Sequence, residues 1–131
     1  ARALRRFGER FSDRVLTPRE RAEIAGRGGD AAAAVAGRFA AKEAFFKAVS
    51  GLSAGRVDAG GGSGDKEPGA IRFKDVEIMI EPGEAPRLVS KGAAREALGK
   101  SRASVSLSHE EDMAVAIVIT SPEIISPEVS G

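Results

Sequence analysis

The sequence contains no cysteine. That excludes disulfides, thiolate metal sites and a cysteine nucleophile. Histidine occurs once, at position 109, which also excludes a metal centre built from several imidazoles. No apolar run approaches the roughly 20 residues of a membrane-spanning helix. No secretory signal is visible. Excess charge is lacking as well. Twenty Lys and Arg face 19 Asp and Glu, for a formal net charge of +1, so the total charge does not point to nucleic acid. There is no G-x-S-x-G nucleophile elbow, and Ser108 is the sequence neighbour of His109, which argues against a Ser-His-Asp hydrolase.

What is present suits one soluble domain. The 131 residues can bury a core, and 42% hydrophobic with 30% charged content is ordinary for a globular protein. Arginines crowd the first 27 residues, including Arg2, Arg6, Arg10 and Arg14. Such a face can be a solvated helix surface, or it can steer an acidic partner.

The helices come first. Leu4, Phe7 and Phe11 recur at helical spacing and suggest the end of an amphipathic helix. In "TPRE", Thr17 can cap a second helix, Pro18 fits its first position and Glu20 can close a capping box. "GRGGD" ends that helix, and Asp30 is placed to cap a long one over Ala31–Ser50, with Gly51 as a natural stop. Gly37 lies inside this long helix, where it costs about 1 kcal/mol against alanine. Residues 51–69 are too glycine-rich to pack and read as a flexible loop. "GGGSG" does not open a helix or precede a Lys-Ser/Thr pair, so it is not a phosphate loop.

Strands follow. Residues 71–82 alternate apolar and polar. "GEAPRLVS" suggests a turn and a second strand, and "GAAREALG" a short helix. "RASVSLSH" sets Ala103, Val105 and Leu107 on one face and Ser104, Ser106 and Ser108 on the other, and "MAVAIVIT" reads as a buried return strand. The expected fold class is α+β, with helices packed on an antiparallel sheet. A domain over 1–120 would be followed by a loose tail, 121–131.

Two sets of residues could carry chemistry. Glu43 and Lys47 are an i, i+4 pair on the long helix. Taken alone, such a pair is a surface stabiliser worth about 0.2–0.5 kcal/mol. Their flanking Phe39, Phe45 and Phe46 favour shielding or function. A hard cation such as Mg²⁺ needs only one or two carboxylates besides phosphates and waters; Glu43 could supply one, and Lys47 could lie along a phosphate. His109, at the end of a serine-rich strand, is either a turn histidine or a ligand contact.

Four separated segments occur in the order of one family: "RFSDRVLTPRE", "AGRFAAKEAFFKAV", "FKDVEI" and "SVSLSHEEDMAVAIVI". The sequence resembles the holo-[acyl-carrier-protein] synthases, the small type of 4′-phosphopantetheinyl transferase, over nearly the whole chain apart from the glycine loop and the tail. The resemblance implies the transferase fold and an Mg²⁺-assisted transfer of phosphopantetheine from coenzyme A to a serine of apo acyl carrier protein, with release of 3′,5′-ADP. It implies that Glu43 binds the metal, that Lys47 contacts the diphosphate, and that Arg38, Pro86, Ser108 and His109 hold the nucleotide. It also implies Arg6, Arg10 and Arg14 as carrier-protein contacts, a homotrimer with sites between subunits, and a cytoplasmic location. The family begins with a G-x-D strand whose aspartate is the second metal ligand. No such strand precedes Ala1 in this sequence, and the expectation is that it lies upstream. Should it be missing, a non-catalytic coenzyme A or carrier-protein binding module is the alternative.

Overall fold

The computed structural model describes residues 10–50, 70–110 and 113–122. The predicted glycine-rich loop, 51–69, lies outside the described residues, as do residues 123–131 of the predicted tail and Arg2 and Arg6, while Ser121, expected in that tail, ends the last strand. A helical segment, α1 (residues 10–15), leads into α2 (Pro18–Arg27) and the long α3 (Ala31–Ser50). A 3₁₀ turn at Phe73–Asp75 precedes β1 (Val76–Met79) and β2 (Arg87–Ser90). Helix α4 (Gly92–Leu98) then leads to β3 (Arg102–Glu110) and β4 (Met113–Ser121). The α+β class expected from the sequence is what the chain adopts.

Local chemistry explains the helix starts. The Glu20 amide donates to Thr17 Oγ1 and the Thr17 amide to Glu20 Oε1, which completes the capping box with Pro18 in the first turn. Asp30 Oδ1 accepts from the Ala33 amide and starts α3. Gly28 and Gly29, both at positive φ, turn the chain between these helices.

Helix α3 is apolar on most of its circumference because it is sandwiched. Phe45, Phe46 and Val49 pack with Ile71, Val76, Ile78, Ala94 and Leu98. Ala103, Val105 and Leu107 of β3, with Ala116 and Val118 of β4, close on the same core. A second cluster, Val15, Leu16 and Val35, is joined to the first by rings. Phe39 lies 5.2 Å from Phe11 and 5.7 Å from Phe73, and Phe73 lies 5.0 Å from Phe46.

The strands form two antiparallel pairs, β1 with β2 and β3 with β4. In the first, Val76 faces Ser90 and Met79 faces Arg87. In the second, Arg102 faces Ser121 and Glu110 faces Met113.

Two strand expectations are corrected. Residues 71–82 were expected as one alternating strand, but only Val76–Met79 is extended in a ladder. Asp75 bends the segment before it, taking the Arg72 amide on its carboxylate while its carbonyl accepts from the Lys91 amide. All four residues of β1 are buried, Glu77 included, since α2 covers the side that alternation leaves to solvent. The other correction concerns β4, expected as a buried strand. Its inner residues face α3, while Met113, Val115, Ile117 and Ile119 are 66%, 47%, 58% and 62% exposed. No described helix covers that outer face of the hairpin.

Candidate functional site

The site is built on α3. At about 100° per residue, Glu43 and Lys47 lie about 40° apart around the helix, on the flank away from Arg38 and Lys42. Glu43 is half-buried and Lys47 exposed. Among the described residues they form no ion pair with each other or with any third group. Glu43 therefore presents a carboxylate that no described cation neutralises, one turn from an uncommitted ammonium. The surface-stabiliser reading of this pair does not describe the structure.

What fixes this flank is the opposite side of the helix. Lys42 is fully buried, and its ammonium donates to Glu20 Oε1 at 2.6 Å and to the Val15 carbonyl. The other oxygen, Glu20 Oε2, accepts the Ile78 amide at 3.0 Å. One turn along α2, Glu23 Oε1 accepts from Arg38 Nη2 and from the Ile80 amide. Two glutamates of α2 thus each hold one cation of α3 and one backbone amide at the β1 end. Burial pushes the Lys42 amine below its ordinary value, and the Glu20 charge and hydrogen bond oppose that shift.

Glu77 belongs to the same buried set. The Thr17 hydroxyl donates to its Oε2 at 2.6 Å, and Lys91 and Arg19 approach its Oε1 at 2.5 and 3.5 Å. Burial alone would raise its carboxyl pKa. The Lys91 and Thr17 hydrogen bonds, with the Lys91 and Arg19 charges, outweigh burial and hold it below its ordinary value near 4.5. With a folded pKa below the unfolded one, Glu77 contributes stability above pH ~4.5, and that contribution is lost as pH falls through the folded value. Urea midpoints measured from pH 7 down to about 3 should therefore fall more steeply for the native protein than for Glu77→Gln. Equal slopes would remove Glu77 from the acid response.

His109 approaches α3 from β3. Alternation places it on the inner face with Leu107, whereas Ser108 stands on the outer face opposite Val115. The two neighbours were expected to serve one ligand together; within one chain they point to opposite sides of the hairpin. The His109 ring lies against Gly37, in the first half of α3. Arg38 is buried, with Nη1 on the Ala34 carbonyl and Nη2 on Glu23, and its Nε has no hydrogen-bond partner among the described residues. Pro86 is half-buried immediately before β2, in the other hairpin. Arg10 and Arg14 are exposed on α1.

The sequence reading missed Lys42, Glu20 and Glu77 as a buried set. A clue existed in Lys42, a charged residue within the apolar run of α3, but its partners are distant in sequence. No group of three or more His, Asp or Glu that could hold a metal occurs among the described residues. One carboxylate without a protein cation nevertheless fits a hard divalent ion that keeps waters and takes phosphate oxygens from a substrate.

The chain as a whole has known counterparts. The family described as the 4′-phosphopantetheinyl transferase superfamily matches residues 1–118. The holo-[acyl-carrier-protein] synthase of Nitratidesulfovibrio vulgaris strain Hildenborough is 41% identical over 117 residues, covering 87% of this chain and 82% of that protein. The crystal structure of the Neisseria meningitidis holo-[acyl-carrier-protein] synthase superposes with a TM-score of 0.66 at 33% identity, covering 92% of this chain and 86% of that one. The Helicobacter pylori synthase, solved in complex with coenzyme A, gives 0.65 at 27% identity, covering 92% and 89%. The chain belongs to the 4′-phosphopantetheinyl transferase superfamily. Within it, the chain is an enzyme of the holo-[acyl-carrier-protein] synthase type.

Proposed function

We propose that the protein transfers the 4′-phosphopantetheine arm of coenzyme A to a serine of apo acyl carrier protein. The observation that carries this reading is the flank of α3, where Glu43 and Lys47 stand uncommitted while Lys42 and Arg38 lock the far side. In the reaction the serine oxygen bonds to the phosphorus that bears the pantetheine. The bond from that phosphorus to the bridging diphosphate oxygen breaks, 3′,5′-ADP leaves, and the serine proton passes to a base. Lys47 would lie along the diphosphate and offset charge on the leaving oxygen. Glu43 would hold a divalent cation such as Mg²⁺, whose chemistry is to neutralise the phosphoryl oxygens as negative charge builds up. His109 would contact the nucleotide from the hairpin, and Pro86 and Ser108 belong to the same proposed nucleotide set. For Arg38 to meet a phosphate, Glu23 must release it and its buried guanidinium must turn outward. The exposed Arg10 and Arg14 of α1, with Arg6, would receive the acidic carrier protein by charge complementarity.

The test is mass spectrometry of apo carrier protein incubated with the enzyme, coenzyme A and Mg²⁺. A gain of one phosphopantetheine arm is expected. Coenzyme A binding without transfer would overturn the proposal in favour of a binding module.

The apolar outer face of β4 supports self-association, and we read it as the contact between copies in a homotrimer. Four large apolar side chains in a row are more than an isolated soluble chain tolerates. Ser108, opposite Val115 on this face, would then lie near the boundary between copies. Ile117→Lys should convert the assembly to monomers in analytical ultracentrifugation and lower transfer with it. A native protein that sediments as a monomer would refute the contact.

A further inference from the structure

We propose that Gly37 is the seat of His109, a positioning residue for the hairpin histidine. The inference rests on the reading of His109 as a coenzyme A contact and adds what fixes the ring. Gly37 is buried in the interior of α3, where glycine is unfavourable for the helix. Its φ is not positive, so the backbone there does not require glycine. A Cβ at this position would stand 2.8 Å from His109 Cε1 and 3.0 Å from Nε2, both closer than ordinary contact. The missing side chain is therefore the space the imidazole occupies.

The geometry has a consequence for the site. Gly37 precedes Glu43 by six residues, a rise of about 9 Å along the helix. A ring whose Cε1–Nε2 edge rests on the helix at Gly37 is kept in register with Glu43 and Lys47 by one rigid element. If alanine is introduced, the group that must yield is the tip of one exposed side chain, not the 20-residue helix. The fold should survive while the ring swings away.

The experiment is a double-substitution cycle on the whole enzyme with coenzyme A and apo carrier protein as probes. Gly37→Ala should raise KM for coenzyme A about tenfold, the loss of roughly one hydrogen-bonding contact, and leave kcat within about twofold. In a His109→Ala background the same substitution should leave KM unchanged, because the displaced ring is gone. Thermal unfolding gives an arm that does not depend on substrate. Alanine should raise Tm by about 3 °C in the His109→Ala background, as expected inside a helix, and by less in the native one. Should Gly37→Ala fail to fold, His109→Ala should restore it, and failure in both backgrounds would overturn the seat. Equal Tm gains in both backgrounds, or equal KM rises, would also overturn it. If His109→Ala alone leaves KM unchanged, the assignment of His109 to coenzyme A fails, and the Tm comparison still decides the seat.

Discussion

Glu43→Gln should lower transfer of the phosphopantetheine arm by about 10²–10⁴-fold while leaving the fold intact. A cation that offsets phosphoryl charge supplies several kcal/mol in the transition state, and each 1.36 kcal/mol is a factor of ten. Glutamine keeps the shape but gives up the charge that would hold the cation. Because Glu43 is half-buried and joined to no described cation, its neutralisation breaks no ion pair there, and thermal stability should stay near native. The signature is a loss in kcat with the unfolding midpoint unchanged, read from the mass gain of apo carrier protein and from calorimetry. Full activity in Glu43→Gln would remove Glu43 from the site. Raising the Mg²⁺ concentration should recover part of the rate if the defect is in holding the ion.

Lys42→Met should cost about 3–5 kcal/mol of folding stability, a large fraction of the 5–15 kcal/mol that a domain of this size possesses. The neighbouring position in sequence thus carries the opposite kind of effect. Methionine matches the stem in volume, so the cost is electrostatic. The Glu20 carboxylate would stay buried with two backbone amides and no cation, and the Val15 carbonyl would lose its donor. Urea denaturation reads the loss as a lower midpoint with an unchanged slope. Adding Glu20→Gln should recover part of it, since the stranded charge disappears. A Lys42→Met midpoint equal to native would show that the pair contributes little. Activity should fall with stability as well. Lys42 turned inward is what sends Glu43, about 100° further round the helix, outward.

These two adjacent residues show where the sequence was informative. The capping box at Thr17–Glu20 and the bounds of α3 were legible because they depend on residues three or four apart, and local hydrogen bonds decide them. The serine and apolar faces of β3 were legible because alternation has only two outcomes. Glu43, Lys47 and His109 stood out by spacing and rarity, but only the order of the family's segments suggested roles for them, since a Glu-Lys pair and a lone histidine have common structural explanations. The rest depended on distant contacts. Glu20 was visible as a cap, but its bonds to Lys42 and Ile78 join three elements. Glu77 looked like the solvent side of an alternating strand until α2 covered it. The outer face of β4 carries the same apolar pattern whether its cover is a helix of this chain or another copy. The place of His109 follows from a missing Cβ on another element, which no local pattern reports.

The clasp of Glu20 and Glu23 on β1 has a consequence for the handling of this protein. The amides of Ile78 and Ile80 lie on the edge of β1 away from β2, and the two carboxylates accept them in place of a neighbouring strand. An apolar edge with free amides is a template for intermolecular pairing. "VEIMI" has the composition of such a template, and α2 is its guard. Events that loosen α2, such as loss of Lys42, would uncover a sticky strand before the rest of the core opens. Aggregation on storage or expression should then track the detachment of one ten-residue helix rather than global unfolding.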